Sequence, residues 1–258
     1  MTGEKIIFEV QDNIATITLN NPKYLNPIDE ELADELSKSI SICATKEDIR
    51  AVILTGAGKN FCSGVDIKTL QRDSDSARSI IRKTALPTLR IRDLRKPVIA
   101  SIRGAAAASG FNLALACDFR VCTEEAKFIQ NFANIGLVND MGGIYLLTQM
   151  LGAAKATELL MTGRTVYAQE AKELNLVNQV VSSEQLEMST WELATELASG
   201  PTKALGGMKA LINRCKFKEF DEIIDEEYKF QTDCVKSEDS KEGLTAFLEK
   251  RKPNFIGK

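Results

Sequence analysis

The sequence predicts an α/β protein whose core of stacked strand and helix units is followed by a mostly helical region. Short apolar strands alternate with helical or glycine-rich segments through the first half of the 258-residue chain. Helical patterns dominate from about residue 142 to residue 250, and no Pro/Ser-rich linker or internal repeat separates the halves. Strands that alternate with helices are typical of stacked βαβ-type units and not of a β-sandwich.

The first half contains four predicted strands and one capped helix. Apolar runs bounded by turn residues predict strands over residues 6–10, 14–19, 51–55 and 98–102. Residues 29–44 carry Leu32, Leu36 and Ile40 at four-residue spacing, which is the pattern of a helix. Asp29 precedes this stripe, and Asp is a preferred N-cap.

The second half is predicted to be helical with a single strand candidate at residues 176–181. The predicted helices cover residues 144–150, 153–162, 168–174, 185–198, 203–215, 220–235 and 241–249. We therefore divide the chain into a core of residues 1–197 and a C-terminal helical region of residues 198–258.

The composition excludes several classes of protein. A net charge of -3 argues against a nucleic-acid-binding surface, which needs a strongly basic face. No signal-peptide pattern is seen, and no apolar run reaches the ~18 residues of a membrane span, so we expect a cytoplasmic protein. The six cysteines form no C-x-x-C pair, which predicts reduced, partly buried thiols and no metal site.

The chain contains no histidine. This excludes Ser-His-Asp triads, Cys-His dyads, His-ligated zinc and histidine general bases. Acid–base chemistry must therefore use carboxylates, Lys, Tyr, Cys or water.

Two glycine-containing loops follow predicted strands, at residues 59–68 and 104–112. Taken singly, the first is more typical of an ordinary turn, and the second of a tightly packed small-residue helix. Taken together, they offer backbone N–H groups from two loops, the second at a helix N-terminus near Ser109 and Gly110. Two such groups at one carbonyl oxygen make an oxyanion hole.

These loops resemble those of the crotonase (enoyl-CoA hydratase/isomerase) family. Its first loop reads F-x-x-G-x-D-[IL], as at residues 61–67, and its second reads G-x-A-x-G-x-G, which corresponds to residues 104–110. The resemblance implies a crotonase spiral of ββα units with a C-terminal helical trimerisation region. It also implies that the N–H groups of Val65 and Ser109 are the oxyanion donors. Because these donors belong to the main chain, Ser109→Ala is expected to change turnover little.

The acid positions depart from those of the hydratases. That resemblance places Asn112 and Phe132 where hydratases carry the two glutamates that hold the reacting water. Asp140 matches the acid of several family isomerases, and the pattern is closest to the ring-epoxyphenylacetyl-CoA isomerases. The apolar residues around Asp140 independently predict a raised pKa and a general base. The alternative is that Asp140 caps a helix beginning at Met141.

The resemblance also implies a binding site for an acyl-CoA thioester. The CoA-binding candidates lie in and before the first loop, with the second loop and acid positions adding substrate contacts. The set is Lys23, Leu25, Ser63, Gly64, Asp66, Ile67, Lys68, Gly110, Asn112 and Phe132. Phe247 and Lys250 correspond to residues that reach the CoA of a neighbouring subunit, so a homotrimer or hexamer is expected. No cofactor other than the CoA of the substrate is implied.

The leading prediction is an enoyl-CoA isomerase in which Asp140 moves one proton along an enolate. Three alternatives stay open at this point. They are an aryl-CoA hydrolase or dehalogenase with Asp140 as nucleophile, a hydratase using Asp140 alone, and a catalytically silent acyl-CoA-binding scaffold. The hydrolase is disfavoured because such relatives pair the aspartate with a histidine.

Overall fold

A six-stranded sheet forms the centre of the molecule. The computed structural model describes residues 5–70, 74–216, 224, 228, 232 and 234–254. In sheet order the strands are β1 (Ile6–Gln11), β2 (Ile14–Leu19), β3 (Ala51–Gly56), β4 (Val98–Ile102), β6 (Phe119–Thr123) and β9 (Gln179–Val181). β1 and β2 form an antiparallel hairpin, and the other neighbouring pairs are parallel. Asp12 and Asn13 both have positive φ in the two-residue turn, as such hairpins favour.

A second sheet is formed by three short strands that lie between strands of the large sheet along the chain. It contains β5 (Ala105–Ala107), β7 (Lys127–Ile129) and β8 (Thr165–Tyr167). Neither these strands nor β6 was predicted from the sequence. The prediction of one strand for the second half, at residues 176–181, is wrong in its number and in its bounds. The second half also contains β8, and only Gln179–Val181 is a strand there. Strands of three residues are too short for an alternating pattern to stand out.

Helices make up most of the remaining described chain. They are α1 (Glu30–Thr45), α2 (Ile67–Leu70), α3 (Ser74–Asp93), α4 (Ser109–Ala116), α5 (Gly143–Leu151), α6 (Ala153–Thr162), α7 (Ala168–Glu173), α8 (Leu186–Ser199), α9 (Thr202–Lys216) and α10 (Glu238–Leu248). The predicted helix over residues 220–235 lies mostly outside the described residues. Within the described part, every helix is too short or too polar to cross a membrane.

The large sheet is covered on both faces, which explains why β3 and β4 are mostly apolar. Val52 and Leu54 of β3 belong to the same buried cluster as Leu36 of α1. The intervening Ile53 packs in a different cluster with Leu186 of α8. Successive strand residues point to opposite faces, so β3 needs apolar side chains at its four buried positions, Ala51 to Leu54.

The predicted N-cap of α1 is confirmed. The Asp29 carboxylate accepts a hydrogen bond from the Leu32 N–H at 2.8 Å. At the other end of the helix, the buried Lys96 ammonium donates to the carbonyls of Cys43 and Lys46. The helix is therefore fixed at both ends against the sheet whose strands lead into the site.

The cysteines agree with the prediction of reduced thiols where the structure describes them. Cys43, Cys62, Cys117 and Cys122 are free and buried, and Cys234 is free and partly exposed. Burial raises the pKa of each of the four buried thiols to about 12. Such thiols are poor nucleophiles near neutral pH.

Candidate active site

The first loop carries the chain from the end of β3 to α2, and a buried asparagine holds it in place. The Asn26 side chain is fully buried, and its amide nitrogen lies within hydrogen-bonding distance of three loop carbonyls. These carbonyls belong to Ala57, Asn60 and Phe61, at 3.0, 2.9 and 3.2 Å. Further along, the Ser63 N–H donates to the Leu25 carbonyl at 2.9 Å. The segment before α1 and the first loop therefore form one unit.

Glycines allow the second loop to pack directly on the first. Cys62 pairs with Ala106 in a parallel bridge. Gly64 has φ +97°, and a Cβ atom placed on it would lie 3.2 Å from the Ser109 nitrogen. A Cβ atom on Gly110 would lie 2.5 Å from the Cys62 carbonyl oxygen. Side chains at these two positions would push the loops apart.

Because the two loops pack on each other, the two predicted oxyanion donors lie on neighbouring segments of the chain. Ile28 pairs with Val65 through the carbonyl of Gly64 and the N–H of Asp66, which leaves the Val65 N–H outside the pairing. Among the described residues, neither the Val65 N–H nor the Ser109 N–H donates to a protein acceptor. Ser109 begins α4, so its N–H also lies at the positive end of a helix dipole.

The second loop departs from the family pattern at Ala108, where that pattern has glycine. Ala108 has φ 49° and ψ -125°, a conformation that residues with a Cβ rarely adopt. Its N–H donates to the Ile129 carbonyl at 2.7 Å, and its own carbonyl accepts from Phe111 and Asn112. The surrounding hydrogen bonds thus hold a strained residue directly before the donor Ser109.

Asp140 is the one buried carboxylate in the described part of the chain, with 3% of its surface exposed. Its Oδ2 accepts a hydrogen bond from the Ser109 hydroxyl at 2.9 Å. Its Oδ1 has no hydrogen-bond partner among the described residues. Burial raises the pKa of Asp140 to about 6, against the opposing effects of the Ser109 hydroxyl and the nearby Asn112 amide. A carboxyl group with this pKa is suited to proton transfer near neutral pH.

The alternative that Asp140 caps a helix beginning at Met141 is wrong. The chain first turns through Met141 and Gly142, whose φ angles are 52° and 77°, and α5 begins at Gly143. Asp140 contributes only its main-chain oxygen, which accepts from the Gly143 N–H at 2.9 Å. The carboxylate is therefore not needed to hold the helix end.

A buried polar chain fixes the loop that carries Asp140. The Asn112 amide group donates to the Asp140 main-chain oxygen at 2.9 Å and accepts from Gln130 at 2.7 Å. Gln130 in turn accepts from Asn139 at 2.6 Å. A Cβ atom on Gly143 would lie 2.2 Å from the Asn112 Oδ1, so the loop and α4 are in close contact. Asn112 therefore holds the main chain of the acid loop.

Three groups that hold the acid loop or its carboxylate were not predicted from the sequence, namely Gln130, Asn139 and the hydroxyl of Ser109. Their one sequence signal is that polar residues interrupt apolar segments. The expectation for Ser109→Ala considered only the main-chain N–H. It left out the hydroxyl, which is fully buried and bonded to Asp140.

Phe132 lies in an apolar cluster beside the site. It is 4% exposed and packs in a cluster with Leu137 and Leu244. Val65 of the first loop and Ala108 of the second pack against the same cluster. The position where hydratases carry an acid is thus an apolar surface next to the predicted oxyanion loops.

The first loop and the segment before α1 bring several predicted CoA-binding residues together at the surface. The Lys23 and Lys68 ammonium groups lie 5.4 and 6.0 Å from the centre of the Tyr24 ring. Leu25 is 45% exposed beside them, and the Asp66 carboxylate accepts from the Lys68 N–H. Two cations around an exposed aromatic ring can bind phosphate and a stacked base.

The remaining predicted residues occupy two different places. Ile67 packs against the apolar cluster that contains Phe132. Phe247 is 51% exposed and Lys250 is exposed at the end of α10. In the described part of the chain, neither makes a hydrogen bond to the first loop.

Comparison with known proteins agrees with this geometry. Residues 9–258 match the family model described as enoyl-CoA hydratase/isomerase. The chain is 36% identical to 1,2-epoxyphenylacetyl-CoA isomerase of Escherichia coli, over 99% of each chain. It is 34% identical to trans-2-decenoyl-[acyl-carrier-protein] isomerase of Streptococcus mutans, over the whole of both chains. The solved structure of an enoyl-CoA hydratase from Mycobacterium avium subsp. paratuberculosis is similar with a TM-score of 0.91 and 30% identity, over 98% of each chain. These matches confirm the crotonase resemblance and fold: the chain belongs to the enoyl-CoA hydratase/isomerase family.

Proposed function

We propose that this protein is an isomerase that moves a carbon–carbon double bond along an enoyl-CoA thioester. One observation carries the proposal: Asp140, the one buried carboxylate among the described residues, bonds to Ser109, whose N–H has no acceptor in that part of the chain. The positions of the two hydratase acids hold Asn112 and Phe132. One carboxylate is sufficient for an isomerase, because the proton that it removes is returned to the same molecule.

The reaction begins with the thioester carbonyl oxygen accepting hydrogen bonds from the N–H groups of Val65 and Ser109. Asp140 takes a proton from a carbon of the acyl chain, and the electron pair of that C–H bond delocalises onto the carbonyl oxygen as a dienolate. The two N–H groups stabilise this negative charge. Asp140 then returns the proton to another carbon of the chain. The double bond has moved, and the carboxylate is regenerated.

A hydratase reaction is disfavoured by the same side chains, although several relatives carry that name, such as the crotonyl-CoA hydratase of Syntrophomonas wolfei at 33% identity. Hydration needs a water molecule held and activated beside the double bond. The Asn112 side chain is occupied by Asp140 and Gln130. Phe132 contributes an apolar surface. Neither residue can exchange a proton with water.

The substrate carrier is proposed to be CoA, bound by Lys68 of the first loop and by Lys23 and Tyr24 of the segment before α1. Lys23 and Lys68 supply charge for the phosphates, and Tyr24 supplies a surface for the adenine. The two isomerases at 34% and 36% identity act on different carriers by name, one CoA and one an acyl-carrier protein. No cofactor beyond the thioester is needed, since every step is a proton transfer.

A homotrimer or hexamer is proposed as the working assembly. On α9, the large apolar side chains Met208, Leu211 and Ile212 are each more than half exposed. Such a surface is typical of an interface between subunits. Phe247 and Lys250, which are both exposed, would then be available to a neighbouring subunit's CoA.

The test is a panel of CoA thioesters incubated with purified protein in heavy water. We expect conversion of a β,γ-enoyl-CoA to its α,β isomer, with deuterium entering the acyl chain in those turnovers in which protonated Asp140 exchanges with solvent before it returns the proton. Formation of a 3-hydroxyacyl-CoA from the α,β compound would instead indicate a hydratase, and halide release from a halogenated aryl-CoA would indicate the hydrolase. Binding without isomerisation, hydration or halide release for every thioester tested would support the silent scaffold.

A further inference from the structure

The side chain and the main chain of Ser109 serve two different parts of the site. Its N–H is one of the two free donors for the thioester oxygen, and its hydroxyl donates to Asp140 Oδ2 at 2.9 Å. We propose that the Ser109 hydroxyl is a positioning group that orients the Asp140 carboxylate, so that Oδ1 alone exchanges protons with the acyl chain. This inference rests on the proposed function.

The orientation of the Asp140 carboxylate depends on the Ser109 hydroxyl, because no other described group bonds to either carboxylate oxygen. Oδ1 has no hydrogen-bond partner, and no described Lys or Arg forms an ion pair with Asp140. The Asn112 amide bonds to the main-chain oxygen of Asp140. The terminal torsion of an Asp side chain is broad and roughly two-fold, so an unanchored carboxylate turns easily. The Ser109 hydroxyl supplies the anchor.

The anchor also separates the roles of the two oxygens. Oδ2 is occupied by the hydroxyl in the charged state and can accept the same hydrogen bond when the carboxyl group is protonated. Oδ1 accepts the proton from the acyl carbon, the C–H electron pair moves into the dienolate, and the O–H bond of Oδ1 breaks when the proton returns to a second carbon. Proton and charge are therefore both restored at the end of each turnover.

The buried setting of Ser109 accounts for a serine at a position where many family members have glycine. Many family members have glycine where this chain has Ser109, and glycine supplies the N–H without a hydroxyl. Here the Ser109 side chain is fully buried against a carboxylate that lies 3% exposed. Burying a hydroxyl stabilises a structure only when it is hydrogen-bonded, and this one is. The hydroxyl can therefore be removed without removing the oxyanion donor.

The experiment compares Ser109→Ala and Ser109→Gly with the wild type and with Ser101→Ala as a matched control. Ser101 is also a buried serine, and its hydroxyl contacts Thr190 at 3.1 Å in a different part of the fold. Both Ser109 variants should lose about 10-fold to 100-fold in kcat for double-bond migration, with little change in KM, because the base is misplaced while binding is kept. The Ser101→Ala control should keep the wild-type kcat.

The acid side of the pH profile separates a positioning role from general damage. A hydrogen bond to the charged form lowers the pKa of a carboxyl group, so its removal should move the acid limb of kcat/KM upward by about one pH unit. Direct titration of Asp140 by carbon-13 NMR of labelled protein should show the same upward shift without any substrate. An unchanged limb and an unchanged titration in both Ser109 variants would overturn the proposal. If the wild type is inactive toward all thioesters, the proposed function fails, and the titration alone decides the role of the hydroxyl.

Discussion

Replacing Asp140 by asparagine is the sharpest test of the proposed chemistry. Asparagine keeps the shape of the side chain and can still accept the Ser109 hydrogen bond, but it cannot take a proton. General acid–base groups contribute roughly 10²-fold to 10⁴-fold. We expect Asp140→Asn to lower isomerisation of a β,γ-enoyl-CoA by ~10²-fold or more and to abolish deuterium exchange, with acyl-CoA binding unchanged.

The structure also gives the effect of this substitution on stability and its sign. Burial raises the folded-state pKa of Asp140 from the ordinary 3.8 to about 6. The folded protein therefore holds this proton more tightly than the unfolded chain, and the group destabilises the fold as pH rises from below 4 to above 6. The full difference corresponds to about 3 kcal/mol, of which roughly 1 kcal/mol falls between pH 5 and pH 8.

Urea unfolding of both proteins at pH 5 and pH 8 measures this difference. The free energy of unfolding of Asp140→Asn should gain roughly 1 kcal/mol relative to the wild type between these two pH values, because the variant has no charge to bury. A variant with full isomerase turnover would show that another group is the base. A variant that fails to fold would show that the carboxylate holds the acid loop, contrary to the hydrogen bonds described above.

Three further predictions concern the ionisation of Asp140, the packing of its loop and the assembly of the protein. The kcat/KM of the wild type should fall about tenfold per pH unit below about pH 6, since the base must be ionised; a profile flat to pH 5 would exclude Asp140 as that base. Gly143→Ala should lower both activity and the free energy of unfolding, by about 1–3 kcal/mol, because its Cβ would displace the Asn112 side chain. Gly207→Ala is the control, since the structure leaves open space there on α9, and urea unfolding should show no loss. Sedimentation should give a trimer or hexamer, and a stable, fully active monomer at micromolar concentration would contradict the proposed assembly.

The positions of strands and helices in the core could be predicted from the sequence where the run of apolar residues was long enough. The strands at Ile14–Leu19 and Val98–Ile102 are found at the predicted residues, because mostly apolar runs of this length bounded by turns admit few alternatives. The α1 cap was also predicted correctly, since Asp29 directly precedes a clear helical stripe. The three-residue strands β5, β7 and β8 were missed because their pairing is decided by distant residues.

The acid loop shows why local rules were insufficient at the site. An Asp before an apolar helical run looks like an N-cap, yet Met141 and Gly142 adopt positive φ angles and move the helix start to Gly143. The contact between Ser109 and Asp140 joins residues 31 positions apart. The family pattern predicted the donor role of the Ser109 main chain, but nothing in the local sequence pairs its hydroxyl with a carboxylate.

Asn112 and Phe132, which stand where hydratases carry their two acids, have complementary effects on the site. An asparagine at position 112 removes one acid and, through its bonds to Asp140 and Gln130, ties the acid loop to α4. A phenylalanine at position 132 removes the other acid and extends the apolar surface around Val65 and Ala108. An apolar site raises the basicity of a buried carboxylate, and neither Asn112 nor Phe132 can activate a water molecule for addition to the double bond. The same two changes that disfavour hydration therefore favour returning the proton to the acyl chain, which is the chemistry of a double-bond isomerase.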